Sequence, residues 1–303
     1  MEQLRTLLNL VFPNQIAFNR NLSFIKRSGI FLATTLLITA IVSFLPPPNG
    51  FVGFDWVNIF SKTGAPPFYP PWTDLVLNIL SWPLLIGITI GAFTTMTLER
   101  AVHPFSAVAA FLCLPLFWTI FLGQLEGISL FGLLFIPWLA PLILIKPQVT
   151  VFAFLNRKRD LLVLGIFLLI SLMIWKLWPA KVFAVESFYG EGRYQQNIGL
   201  GLWGMPIALV LLWFSRGDMD LLMLAGSFAL YHLIPYNLLP VIPAVARLKP
   251  GQAWLCVLFS WLPFASNWIG PMGWWSGWIF VLFLWLSVFR STYPERIPVF
   301  LKP

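Results

Sequence analysis

The sequence predicts an all-α, polytopic integral membrane protein of about ten transmembrane helices, built as a single transmembrane domain over residues 1–303. Three observations lead to this class. Hydrophobic residues make up 59% of the chain and charged residues 10%, too few charges to cover a water-soluble globule of this size. Apolar runs recur from about residue 28 to about residue 290, which leaves no room for a soluble catalytic domain. The chain also holds 16 Trp, a residue that favours the membrane boundary because its ring is apolar and its N–H prefers water.

The elements follow in order. Residues 1–27 precede the first long apolar run, and within residues 1–12 Leu4, Leu7, Leu8 and Val11 share one helical face, which predicts a cytoplasmic amphipathic segment, with a frayed terminus as the alternative. The first apolar run ends in Pro46-Pro47-Pro48 without a small-residue cleavage pattern, so it is expected to be retained as a span. Crossing a bilayer core of roughly 30 Å takes about 20 apolar residues. By that measure the candidate spans are about 28–45, 75–98, 105–122, 128–155, 161–178, 198–215, 219–234, 237–248, 252–269 and 274–290. The fourth is overlong and interrupted by Lys146-Pro147-Gln148. The eighth is too short to cross alone and is rich in proline, with Pro235, Pro240 and Pro243. Broken helices at membrane depth persist only where protein or a wet cavity satisfies the freed backbone groups.

Charge sets the expected orientation. With the N-terminus in the cytoplasm, only Lys62, Lys176, Lys181 and Arg193 of the 19 Lys and Arg fall outside, and Lys146 counts with the cytoplasmic set. Both termini are then cytoplasmic, in the plasma (inner) membrane of a prokaryote. Asp55, Asp74, Glu126, Glu186 and Glu191 lie on the external face, where polar chemistry collects. Two external loops, 46–74 and 179–197, are long enough to hold a site, and in the proline-rich first loop residues 54–62 suit a short helix lying on the membrane.

Several functions are excluded. The net charge of +8 sits in short clusters between apolar runs, where it orients helices, so no nucleic-acid partner is expected. There is no Gly-Lys-Ser/Thr phosphate loop, no dinucleotide fingerprint and no His-Glu-x-x-His. The only cysteines, Cys113 and Cys256, lie inside apolar runs as small hydrophobes. No internal repeat is visible to support an inverted-repeat transporter.

The order of short motifs resembles glycosyltransferase family 87, polyprenyl-phosphate-sugar-dependent membrane enzymes of the GT-C superfamily. The motifs are Asp55-Trp56 after the first span, Gly64 with Tyr69-Pro70-Pro71, Gly123-Gln124, Lys146-Pro147-Gln148 before Arg157-Lys158-Arg159, and Tyr231-His232 with Tyr236-Asn237-Leu238-Leu239. Together they cover about residues 50–245. The chain departs from the family in being short, in having Asn237 where Asp is common, and in lacking an aromatic-Ala-Gly-Arg-like helix after Asp55. The resemblance implies a GT-C-like helical bundle that takes a sugar, mannose above all, from a polyprenyl-phosphate carrier at the external face and passes it to a lipid or glycan acceptor. It implies no organic cofactor; some GT-C enzymes use a divalent cation, for which these scattered acids define no metal site.

Such a reaction needs a base for the acceptor hydroxyl and donors for the departing phosphate. Asp55, flanked by Phe54 and Trp56, fits the base and is the acid the resemblance places there. Its plain alternatives are a solvated loop Asp or a helix N-cap. His232 is either an active-site histidine or a hydrogen-bonded core residue. Lys146 is either a contact to the carrier phosphate, with Gln148 beside it, or a chain snorkelling to the cytoplasmic boundary. Arg193 is either a bidentate phosphate ligand or a partner of Glu186 and Glu191. Gln124, Tyr69, Tyr236 and Asn237 complete the candidate donor and acceptor contacts. Asp74 and Glu126 either join the cavity or cap helices, and His103 is a turn residue. Two readings from other classes stay open. One is a non-catalytic scaffold, with Trp274-Trp275-Ser276-Gly277-Trp278 packed against partner helices, pigments or lipids. The other is a lipid or small-solute transporter working through Lys146 and the broken fourth stretch.

Overall fold

The computed structural model describes residues 22–67, 69–183, 195–215 and 217–294. Among the described residues all regular structure is helical and no strand occurs. The expected amphipathic N-terminal helix and Arg193, Glu186 and Glu191 lie outside these residues.

Helix α1 (Phe24–Ser43) opens at Ser23, whose hydroxyl accepts from the Lys26 amide at 3.3 Å. The second apolar stretch divides into a short helix, Thr73–Leu77, and α2 (Trp82–Arg100), which starts from the Ser81 cap with Pro83 in its first turn. Helices α1 and α2 run antiparallel in close contact. A Cβ built on Gly87 would lie 2.1 Å from Thr39 Oγ1, and one on Gly91 would lie 2.2 Å from Thr35 Oγ1. The small-xxx-small spacing of Gly87 and Gly91 therefore sets the approach of the two backbones. The same register brings Arg27 onto Glu99, an ion pair buried at the far end of the pair.

Helices α3 (Pro104–Phe111) and α4 (Leu114–Leu122) together form one apolar segment bent by 40°. Each begins with a proline in its first turn, and His103 Nδ1 accepts from the Phe105 amide, so His103 caps α3. The fourth apolar stretch does not cross once with an interruption. It descends as α5 (Glu126–Leu134), turns back, rises through α6 (Ala140–Ile143) to Lys146, and descends again as α7 (Pro147–Thr150) and the 3₁₀ turn Val151–Asn156. Gly132 permits the reversal, since a Cβ there would meet the Ile143 amide nitrogen at 2.8 Å. The lower end is fixed where Arg27 Nη1 donates to the Leu134 carbonyl at 3.2 Å.

Beyond these come α8 (Lys158–Trp175), α9 (Met205–Phe214), α10 (Met219–Ser227), α11 (Pro250–Trp261) and α12 (Gly277–Thr292), with irregular turns between the last two. The eighth stretch is a 3₁₀ helix, Pro235–Arg247, buried from Pro235 to Ala246. The 3₁₀ winding stretches it, yet it remains short of a bilayer core of roughly 30 Å. Thirteen residues rise ~26 Å in 3₁₀ geometry but only ~20 Å as an α-helix. Pro240 and Pro243 have no N–H to donate and oppose rewinding into the shorter form. Helices α2 to α5, α7 and α10 to α12 all rest against this pillar, making it the axis of the core.

At its lower end Arg247 pairs with Asp218 at 2.6 Å and Asp220 at 3.0 Å and donates to Thr292 Oγ1 at 2.7 Å. Arg100 closes the cluster on Asp220 at 2.8 Å. Among the described residues three helical segments are long and apolar enough to cross a membrane, Phe24–Ser43, Trp82–Arg100 and the broken run Pro250–Thr292, and the bent α3–α4 pair makes four if counted as one span.

Candidate active site

At the end opposite this ionic cluster lies a cavity of about 960 Å³. The loop after α1 builds one wall. Asn49 Oδ1 accepts from the Phe51 and Val52 amides, turning the chain. Gly53, at φ +75°, donates its amide to the Phe121 carbonyl at 2.6 Å and seats the loop on the end of α4. Gly123, also at φ +75°, is needed there twice: it closes α4 in the left-handed region, and a Cβ on it would meet Trp56 Cβ at 2.7 Å. These contacts bring Asp55 to Gln124, whose Nε2 donates to Asp55 Oδ2.

Asp55 is not a helix cap: its backbone is already helical, and its side chain caps no amide. The short helix expected at 54–62 does form, as a π turn, Trp56–Phe60, followed by Ser61–Thr63. It turns Trp56 and Phe60 inward against Tyr69, Trp72 and Leu125. Asp74 stands outside the cavity and accepts from the Ala65 amide at 2.7 Å, stapling the loop where Gly64 turns at φ +73°. Partial burial raises the Asp55 carboxyl above the ordinary carboxylate range, against the opposing pull of the Gln124 amide and of Lys146.

The return of the fourth stretch supplies the second wall. Lys146 Nζ lies 3.5 Å from Glu126 Oε1 and over the rings of Tyr69 and Tyr236, 4.7 and 5.3 Å from their centroids. Lys146 therefore does not snorkel to the cytoplasmic boundary; the reversal of the chain returns it to the level of Glu126, beside Asp55 and Gln124. The backbone at the break is satisfied locally. Ser129 Oγ accepts from the Lys146 amide at 3.0 Å, and Thr150 Oγ1 donates to the Lys146 carbonyl at 2.8 Å.

The segment after α10 makes the third wall with Tyr231, His232 and Tyr236. Asn197 holds it, its Oδ1 accepting from the Leu233 amide at 2.9 Å and its Nδ2 donating to the Tyr231 carbonyl at 3.1 Å. Asn237 stands one layer back, donating from Nδ2 to Glu126 Oε1 at 2.8 Å. Of the residues expected from the sequence, Asp55, Tyr69, Gln124, Lys146, Gln148, His232 and Tyr236 line this one space, and Asn237 supports it. Three buried oxygens here, Gln124 Oε1, Gln148 Oε1 and Glu126 Oε2, have no hydrogen-bond partner.

Sequence reasoning missed the fourth wall, Ser266, Asn267 and Trp274, and the Gln195-Gln196 pair. An Asn and adjacent Gln residues interrupting or bordering apolar runs were the available signal. The Trp-rich stretch turns inward in part. Trp278 Nε1 donates to the Ile198 carbonyl at 3.0 Å and its ring stacks on Phe228, while Trp274 lines the cavity. Among the described residues no three His, Cys, Asp or Glu converge on a common point. Comparisons with protein-family models, with curated proteins and with solved structures return no match.

Proposed function

We propose that this chain is a membrane glycosyltransferase of GT-C type, transferring a sugar from a polyprenyl-phosphate carrier to a lipid or glycan acceptor at the external face. The observation that carries this reading is the convergence of Asp55, Gln124, Lys146, Gln148, His232 and three tyrosines on one cavity with otherwise largely apolar walls. A donor with a charged head and a long hydrocarbon tail suits such a space. The ten apolar stretches are read as parts of one membrane domain. The exposed apolar side chains of α1, α8 and α9 support a lipid-facing surface.

In this reading the Asp55 carboxylate accepts the proton of the acceptor hydroxyl as that oxygen bonds to the anomeric carbon. The bond from the anomeric carbon to the phosphate oxygen breaks, and the lipid phosphate leaves with its charge facing Lys146. Gln124 orients Asp55. Tyr69 and Tyr236 hold the ammonium in place. His232 faces the same space as a second polar contact. Asn237, a departure from the resembled family, acquires a reason: an Asp there would set a second carboxylate against Glu126.

The test is transfer of radiolabelled sugar from polyprenyl-phosphate-mannose, -glucose or -arabinose into membrane lipid, comparing wild type with Asp55→Asn. Loss of at least about 100-fold in the folded variant is expected for removal of a general base. No transfer from any donor would turn the assignment toward a scaffold or a transporter. The transporter reading has its own support in the broken α5–α7 segment with the buried Lys146–Glu126 pair, and it predicts flux without transfer.

A further inference from the structure

We infer that Glu126 is a proton-coupled positioning residue: it holds Lys146 in the empty cavity, and it takes up a proton when an anionic phosphodiester replaces it as the partner of Lys146. The inference rests on reading the cavity as a lipid phosphodiester site. Its grounds are the partners of Glu126 and the charge balance of the walls.

Glu126 is 1% exposed and Lys146 is 7% exposed. Their charged atoms stand 3.5 Å apart, longer than the ~2.7–2.9 Å of a well-formed charge-assisted hydrogen bond. Glu126 Oε1 already receives the Asn237 amide at 2.8 Å, and Glu126 Oε2 is buried with no partner. The carboxylate therefore has an open acceptor position, and the ammonium has room to move toward the cavity it lines. The groups facing Glu126 are few. Lys146 comes from the break before α7, and Asn237 and Tyr236 come from the 3₁₀ pillar. Tyr69 and Asp55 come from the first loop and share the electrostatic neighbourhood of Tyr236 with Glu126. From α2 the uncharged Thr89 packs against the neighbouring Gly127.

The charges do not balance once a ligand arrives. Lys146 is the only Lys or Arg among the described residues that line the cavity. It already faces two carboxylates, Glu126 at 3.5 Å and Asp55 within electrostatic reach. A phosphodiester brings one more fixed negative charge and draws the ammonium away from Glu126. A buried carboxylate stripped of its cation neutralises rather than staying charged. The proton comes from solvent and ends on Glu126, and no covalent bond changes.

The experiment is calorimetric titration of the purified full chain with citronellyl methyl phosphate, a short prenyl phosphodiester that has no proton to exchange near neutral pH. It is run in buffers of different ionisation enthalpy. Wild type and Asp55→Asn are expected to show uptake of about one proton per ligand, and Glu126→Gln to bind with almost none. Binding without buffer dependence in the wild type overturns the proton coupling and leaves the phosphodiester site standing. Uptake that persists in Glu126→Gln overturns the assignment to Glu126. Absence of binding overturns the reading of the cavity itself. The wild-type arm decides even if Glu126→Gln fails to fold, because coupling also requires affinity to fall about tenfold per pH unit once Glu126 ionises in the free protein.

Discussion

Burial sets the chemistry of Asp55, and its neighbours trim it. Because its carboxyl is raised by desolvation and lowered by Gln124 and then Lys146, the acid limb of a pH–rate profile is expected above the ~3.9 of an exposed Asp. Replacing Gln124 with Leu removes a lowering contact, so the limb should move to still higher pH; a limb that stays put would detach Asp55 from the rate. Stability runs the other way. An acid whose folded value is raised contributes stability present below its unfolded value and lost as pH rises through the folded one. Asp55→Asn is therefore expected to unfold no more easily than wild type at neutral pH, which makes it a clean probe of transfer. Lys146 is the opposite case. Lys146→Met leaves Glu126 buried without its cation, an expected loss of about 3–5 kcal/mol that Lys146→Met/Glu126→Gln should largely restore in denaturant unfolding. Asp55 and Lys146 were legible as candidates because charged groups among apolar neighbours announce themselves. Glu126 was less so: a carboxylate at a helix start looks like a cap until its distant partners, 20 and 111 residues on, are known.

At the scale of elements, the α1–α2 pair is held by absent side chains. Gly91→Leu would force the helices apart, since even a Cβ there would lie 3.1 Å from the Phe31 carbonyl oxygen and 2.2 Å from Thr35 Oγ1. The expected result is a large fall in thermal stability, greater than for Gly29→Leu on the open face of α1, where a Cβ meets nothing within 4 Å; equal effects would deny the close packing. Apolar length revealed α1, α8 and the later half of the second stretch, because composition alone determines those. It could not reveal the reversal inside 128–155, where Gly132 against Ile143 sends the chain back, nor the 3₁₀ winding of Pro235–Arg247. Both depend on close tertiary contacts, and hydropathy carries no information on rise per residue. The consequence for the site is direct. The reversal moves Lys146 from one end of the molecule toward the other, and the longer 3₁₀ rise lets a single segment join Asn237 at the cavity to Arg247 in the ionic cluster.

The whole molecule has two polar ends of different character. One end gathers Arg27, Glu99, Arg100, Asp218, Asp220 and Arg247 in buried pairs, and Arg157 closes a small cleft beside Glu99 and Arg100. The other holds the cavity and the loop that carries Asp55 and Lys62. The excess of Lys and Arg at the first end argues for the cytoplasmic side, because basic residues resist translocation. The two native cysteines do not interfere with a test, since Cys113 and Cys256 are both fully buried. Lys62→Cys, Lys158→Cys and Lys249→Cys each replace an exposed lysine, one at the cavity end and two at the ionic end. In intact cells a membrane-impermeant maleimide is expected to label Lys62→Cys alone, with the other two reacting only after the membrane is opened. The reverse pattern would put the cavity in the cytoplasm and bring its donors from that leaflet, while labelling of all three in sealed cells would remove the membrane from the account altogether.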